Sequence, residues 1–396
     1  VTTTDSQLGP AMTPDTARSD AGFTVGRALR PTAKVLPEHA RAHNRALVLQ
    51  TLLAGGAASR ADLARETGLT RVTVSDLVAE LIAEGLIVEL GHREDARPGK
   101  PATLIDFARD AHRILAVDLS EHSLVRGAVV DVDGNVLERI ELPLDGATGD
   151  AVVELVLDVL VRLQALADAP VLGIGIGSPG VVDRVGVVHS APNLGWREVD
   201  LQRRVAVATG LPVHVGNDAN AATLAELRGT ASDDLLVVTV GRGVGAGVVL
   251  GGRLVFGSAW AAGEIGHVVV GTDGGAPCAC GKEGCLETWL SVPRLEARLA
   301  AADGEEAREA VLREAGRRLG IVLAPVVGAL NLSELVVSGP EELLGGALLG
   351  ATADTLRNRT MAELTRDLRL RMTAHGKDIV LRGAAVMVLS GQLGVS

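Results

Sequence analysis

The chain has 396 residues, of which 47% are hydrophobic, with a mean hydropathy of +0.28 and a net charge of −11. This length supports two or three domains with their own cores, and the apolar content favours a folded chain over disorder. The acidic balance argues against loose, charge-driven nucleic-acid binding by the whole molecule, but leaves room for a dedicated DNA-binding module. No apolar run approaches the roughly 20 residues of a membrane span. Residues 1–20 lack the charged-then-apolar pattern of a signal peptide, so a cytoplasmic protein is expected. Val1 reads as a GTG start codon translated literally, with Met in the native chain.

Residues 1–37 are rich in Thr, Ala, Asp and Pro without periodicity, and read as a disordered tail. Residues 38–112 carry three short helical patterns followed by two strand-like runs. The first helix covers about Asn44–Leu53. Ser59 is an N-cap for the second, with Asp62 placed to complete a capping box. Gly68 ends that helix, since glycine permits the positive φ of a tight turn. Thr70 caps the third, in which Val74, Leu77, Val78, Leu81 and Ile82 recur at helical spacing as a buried stripe. Gly85 stops it. The strands LIVEL and PATLIDF flank the polar loop GHREDARPGK.

This is the order of a winged helix-turn-helix. The start of its reading helix exposes Arg71, Thr73, Ser75 and Asp76 beside Thr70, and the wing offers Arg93, Arg97 and Lys100. Arg71 suits guanine O6/N7 or a phosphate. Nine Lys/Arg against eleven Asp/Glu leave residues 38–112 at net −2, which also fits a small protein-interaction module. Helix order, the Gly68 turn and the wing favour DNA.

From about residue 113 the texture becomes α/β. RILAVDL, LVRGAVVD and NVLERIELPL read as three strands, and DLLVVTV, VGAGVVL and GRLVF as three more, each triplet followed by a helical segment. Two such units predict two related lobes with a cleft between them.

Within the second unit, Glu264-x-Gly266-His267 is followed by Cys278-x-Cys280-Gly281-x-x-Gly284-Cys285-x-Glu287. With VGRGVGAGVVLGGRLVFGSAWAAGEIGH, HVGNDANAA, GSPGVVD and APNLGW, these motifs resemble the signature of the ROK family of repressors, open reading frames and sugar kinases. The start R-x-H-N, Ser-Arg-x-x-Leu-Ala and Gly-Leu-Thr-x-x-Thr-Val resemble the regulators of that family. The resemblance covers about 41–396. It implies an actin-like, ribonuclease H-like two-lobed sugar kinase fold over 113–396, preceded by the winged helix-turn-helix. It also implies sugar contacts at Asn193, Asn217, Asp218, Glu264, His267 and Glu287. Asn, Asp and Glu suit sugar hydroxyls, which need paired donors and acceptors. Taken alone, Asn217-Asp218 could be a helix cap and Asn193 a turn residue.

All three cysteines lie within Cys278–Cys285, in a chain that otherwise avoids cysteine. With His267 they supply three sulfurs and one nitrogen, a closed set suited to structural Zn²⁺ in the loop 264–287. The alternative is three idle thiols, which gives no reason for the clustering. His267 could offer one ring nitrogen to the metal and the other to a sugar hydroxyl.

A kinase of this family would need Asp218 as general base. It would also need a first phosphate loop of the form Asp-x-Gly-Gly-Thr, which here reads Asp118-Leu119-Ser120-Glu121-His122. Without the glycines, backbone N–H groups cannot crowd a phosphate. Glu121 adds like charge, on the order of 4 kcal/mol per charge pair at 4 Å and an effective dielectric of 20. Arg242 stands where the kinases have Thr, and VVSGP lacks a run of glycines. A catalytically inactive domain is therefore expected, with Asp218 the vestigial base. The expected function is a sugar-responsive regulator, most simply a repressor, that binds double-stranded DNA as a homodimer or higher homo-oligomer with a sugar or sugar phosphate effector. The alternatives are an active ATP-dependent sugar kinase with a DNA-binding appendage and a regulator controlled by a protein partner.

Overall fold

The computed structural model describes residues 37–92, 102–270 and 274–395. The tail expected over 1–37 lies outside these residues except for Pro37, and so do the wing residues Arg93, Arg97 and Lys100.

The N-terminal part runs α1 (Pro37–Gly55), β1 (Ala58–Ser59), α2 (Arg60–Thr67), α3 (Arg71–Ala83), β2 (Ile87–His92) and β3 (Thr103–Phe107). The helix α1 is longer at both ends than the periodicity predicts. The Ser59 hydroxyl accepts from the Asp62 N–H while the Asp62 carboxylate accepts from the Ser59 N–H, closing the capping box. Gly68 takes φ 72°, and Thr70 caps α3 by accepting from the Thr73 N–H. Val74, Leu77, Val78 and Leu81 are fully buried, each contributing about 1.5–3 kcal/mol, while Ile82 lies at the edge. The strands pair in the order β1-β3-β2.

The first lobe follows as β4 (Arg113–Asp118), β5 (Leu124–Val130), β6 (Val136–Pro143), α4 (Asp150–Leu166) and β7 (Val171–Ser178). A small antiparallel sheet comprises β8 (Val181–Val182), β9 (Val187–Ala191) and β10 (Trp196–Asp200). Then come α5 (Leu201–Thr209), β11 (Val213–Asn217) and α6 (Asp218–Gly229). The second lobe holds β12 (Leu235–Val240), β13 (Val244–Leu250), β14 (Arg253–Leu254), α7 (Glu287–Leu290), α8 (Val292–Ala301), α9 (Glu305–Leu330) and β15 (Glu334–Ser338). It ends with α10 (Glu341–Leu344), α11 (Gly346–Arg359), α12 (Ala362–Thr365) and β16 (Arg369–Met372), after which α13 (Ile379–Leu393) returns to the first lobe. Among the described residues, no helix is long and apolar enough to cross a membrane.

The two five-stranded sheets have the same topology. The orders are β11-β7-β4-β5-β6 and β14-β13-β12-β15-β16, each an antiparallel meander extended by two parallel strands. The strands at the centre of each sheet are buried on both faces, which is why they read as continuous Val/Ile/Leu runs. After the second meander the chain does not go straight into a helix. A long irregular segment intervenes, and it contains the cysteines.

Helices α6 and α13 pack against each other between the sheets, α13 on β4 and β7, α6 on β12 and β13. Their approach is close: a Cβ on Gly383 would lie 1.7 Å from the Ala221 carbonyl oxygen. The Gly383→Ala change is therefore expected to force the two helices apart and destabilise by about 3 kcal/mol or more, measurable by denaturant unfolding. The end of α13 reaches the N-terminal part, where Leu393 and Val395 join the core containing Val48, Leu49 and Leu52. Arg109 reinforces this junction by donating to the Leu53 carbonyl at the end of α1 and pairing with Asp133 in the β5–β6 turn.

Candidate functional site

A cleft of about 630 Å³ lies between the lobes. All six residues expected from the resemblance line it: Asn193, Asn217, Asp218, Glu264, His267 and Glu287. Asn193 lies in a 3-10 turn, Pro192–Leu194. Asn217 ends β11 and also N-caps α6, accepting from the Asn220 N–H at 2.9 Å, so the residue that caps the helix also lines the cleft. Its amide donates to the Gly180 carbonyl and to Asp218 Oδ1, both at 3.0 Å. That fixes the Asp218 carboxyl, whose Oδ1 also accepts from the Ala219 N–H. Burial, with Asp118 and Glu264 adding like charge, pushes the Asp218 carboxyl up to about 7. Burial also raises Glu264. Glu287 Oε2 accepts from the Val244 N–H at 3.1 Å, tying the glycine-rich loop to the cysteine loop.

That glycine-rich segment needs its glycines for backbone contact. Gly263, at φ 93°, would place a Cβ 1.7 Å from the Ala246 carbonyl oxygen.

The first loop is bridged by a residue that the sequence reading missed. Asp118 is 0% exposed, and its Oδ1 accepts from the Ser120 N–H at 2.8 Å. Directly opposite it in the β4–β5 hairpin stands Arg126. The Arg126 Nη2 lies 3.0 Å from Asp118 Oδ2 and 2.9 Å from Glu121 Oε1, and its Nη1 donates to the Lys377 carbonyl at 3.3 Å. Glu121 is therefore paired, sharing the Arg126 guanidinium with Asp118, so its repulsion of a phosphate is smaller than that of a free charge. The loop is braced by a bridging side chain rather than carrying a bare charge. An arginine within the otherwise apolar run LVRGAVV was the available signal.

The cysteine loop brings the four expected ligands together. His267 Nδ1, Cys278 Sγ, Cys280 Sγ and Cys285 Sγ all lie within 4.8 Å of one another. Cys278 Sγ is 3.5 Å from His267 Nδ1, and Cys280 Sγ is 3.6 Å from Cys285 Sγ. Zn–S bonds of about 2.3 Å in a tetrahedron put sulfurs about 3.8 Å apart, so the spacing fits a metal. Burial pushes the Cys285 thiol up to about 12, so without a cation this sulfur holds its proton. With Nδ1 facing the sulfurs, His267 Nε2 faces Glu264 at 3.9 Å, on the cleft side.

In the N-terminal part, Arg71, Ser75 and Asp76 are exposed at the start of α3. The Thr70 and Thr73 hydroxyls bond each other at 2.9 Å, so both serve the cap. The sequence reading passed over Val72, which is 71% exposed on the same turn and fits the apolar contact a thymine methyl offers. Its departure from the buried stripe was the available signal.

A duplicated sheet around a polar cleft, joined to a three-helix winged module, defines a sugar-kinase-type domain fused to a DNA-binding-type head. The chain belongs to the ROK family: the ROK family model matches residues 114–390, and a MarR family model matches 43–98. It is 28% identical over 389 residues to a xylose repressor of Caldicellulosiruptor bescii, covering 88% of this chain and 96% of that protein. It is 30% identical to a glucokinase of Halalkalibacterium halodurans, over 67% of this chain and 91% of the enzyme. A solved ROK family transcriptional regulator, homologous to the Escherichia coli MLC protein, superposes with a TM-score of 0.79 at 26% identity, covering 90% of this chain and 98% of that one.

Proposed function

We propose that this protein is a DNA-binding transcriptional repressor of carbohydrate metabolism genes that responds to a sugar or sugar phosphate, acts in the cytoplasm and works as a homodimer or higher homo-oligomer. The single observation that carries the regulator reading over an enzyme is the Arg126 guanidinium lodged between Asp118 and Glu121 in the first phosphate loop. Support also comes from the winged head and from relatives named as repressors that match along most of the chain. In this reading the six cleft residues hold sugar hydroxyls, and Asp218 accepts a hydroxyl proton's hydrogen bond without passing it on. Ligand binding shifts the balance between two lobe arrangements only by as much as its affinity for the two differs. That balance sets the spacing of two heads, which must match half-sites about one helical turn apart.

The donor set His267, Cys278, Cys280 and Cys285 would hold Zn²⁺. The metal would supply structure, cross-linking the loop that carries Glu264 and Glu287. The head would read DNA through Arg71, Thr73 and Ser75, with Thr70 setting the helix start and Arg97 and Lys100 on phosphates. Arg71→Ala is expected to weaken operator binding by about 5- to 150-fold, read by gel shift.

A second reading, an active sugar kinase, is favoured by one observation: Asp218 is retained, with its carboxyl near 7, where a general base works well. An ATP-turnover assay against common hexoses and pentoses separates the two. The regulator reading expects none, and turnover with any of them sinks it. A thermal-shift screen with sugars and sugar phosphates, followed by gel shifts with each hit, then identifies the effector.

A further inference from the structure

We propose that a second cavity, between α1 and the end of the α6–α13 helix pair, is a binding site for a small phosphate-bearing anion held by Arg228 and Arg382. The cavity has a volume of about 330 Å³, at the small end of the range for ligand sites. One wall is Gln50, Leu53 and Ala54 of α1; the other includes Arg228, His375 and Arg382.

The charge arrangement is what singles it out. Arg228 donates Nη2 to the Val132 carbonyl at 2.7 Å, but its Nη1 is shut off from solvent without an acceptor. The Nε of Arg382 is likewise buried and without an acceptor. Among the described residues neither guanidinium forms an ion pair, although both face the same cavity. Asp133 also lines the cavity and Asp131 lies near Arg228, but Asp131 is occupied by the N–H groups of its own turn. Asp133 pairs with Arg109, and Glu226 pairs with Arg371 and accepts from the Thr373 hydroxyl. His375 Nε2 approaches Glu226 only to 4.0 Å.

Two half-buried guanidiniums, each with a buried N–H that lacks an acceptor, are costly to enclose, and an anion between them would offset that cost. Burial also holds Arg228 and His375 below their ordinary values, more than the nearby Asp133 and Glu226 carboxylates offset. Arginine forks match phosphate oxygens in geometry, and the opposite wall of Gln50, Leu53 and Ala54 carries no carboxylate. Because one wall belongs to the N-terminal part and the other to the lobes, an anion there would bridge the two. Its binding does not depend on the sugar reading, since none of these residues lines the interlobe cleft.

Isothermal titration calorimetry on the full chain tests this, with inorganic phosphate in one arm and glycerol 3-phosphate in the other. Saturable binding of either is expected, and the tighter of the two tells whether the free ion or an organic phosphate is the natural occupant. Arg228→Gln and Arg382→Gln should each weaken it by about tenfold or more. Since either change could disturb packing, Ala54→Glu serves as a third variant. Ala54 is exposed at the rim, and a carboxylate there should compete with the anion while leaving the unfolding temperature unchanged. Hexose binding should be unaffected in all three. Absence of saturable binding of both inorganic phosphate and glycerol 3-phosphate by the parent chain, or binding undiminished in all three variants, overturns the proposal.

Discussion

Cys285→Ser is expected to remove bound metal and sugar response together, and to cost more than about 4 kcal/mol of stability. Cys285 is fully buried, and its backbone holds the loop at both ends: its residue pairs with Val269 in a β-bridge, and its carbonyl accepts from the Thr288 hydroxyl. A serine oxygen in that place is a poor partner for a metal and leaves a polar group short of bonds. The loss should spread to the cleft, because His267 and Glu287 flank the same cluster and Glu287 anchors Val244. Elemental analysis of chain purified without chelators should find about one zinc per chain in the parent and little in the variant. Thermal unfolding and a sugar thermal-shift measurement complete the test. Cys280→Ser separates metal loss from packing, since Cys280 is exposed and its replacement disturbs no core. Parent protein free of metal would refute the zinc assignment.

Asp218→Asn is expected to weaken sugar binding by about tenfold or more while raising stability at alkaline pH. The affinity loss follows from replacing a charged hydroxyl acceptor with a neutral amide, worth about 1.5–3 kcal/mol. The stability gain follows from the raised carboxyl. In the unfolded chain Asp218 ionises near its ordinary 3.8, but in the folded protein it stays protonated up to about 7. As pH rises through that window the unfolded state loses its proton first, so the stability this group contributes below 3.8 is lost by about 7. Asparagine keeps the oxygen that accepts from the Ala219 N–H without the charge. The variant should therefore match the parent at pH 4 and exceed it by on the order of 2 kcal/mol at pH 8, read by urea unfolding. Sugar affinity of the parent should fall as pH drops below 7, as the carboxylate takes up its proton. A pH-independent stability difference would assign Asp218 an ordinary carboxyl.

Much of the fold was legible because its signals are local. The capping box at Ser59–Asp62, the glycine at 68 and the 74-77-78-81 stripe are short-range patterns, and each forms as read. The paired strand triplets could be read because buried strands are continuous apolar runs. The Arg126 bridge was not read, because its meaning depends on a partner across a hairpin. Only the register that sets Arg126 opposite Asp118 turns a stray charge in an apolar strand into a bridge between two carboxylates. Glu121 was misjudged for the same reason, as a free charge rather than a paired one.

The sequence by itself determined the family, the order of winged head and two-lobed body, and the residue types that line the cleft and cluster at the cysteine loop. Those follow from motif spacing and periodicity within short stretches of chain. Only the tertiary structure decided which nitrogen of His267 faces the sulfurs, that Asp218 is pushed towards neutral pH, and that two unpaired arginines share a cavity at the junction of head and lobes. Each of these depends on burial and on neighbours distant in sequence: Arg228 and Arg382 lie on different helices, which meet only when the two sheets close around them.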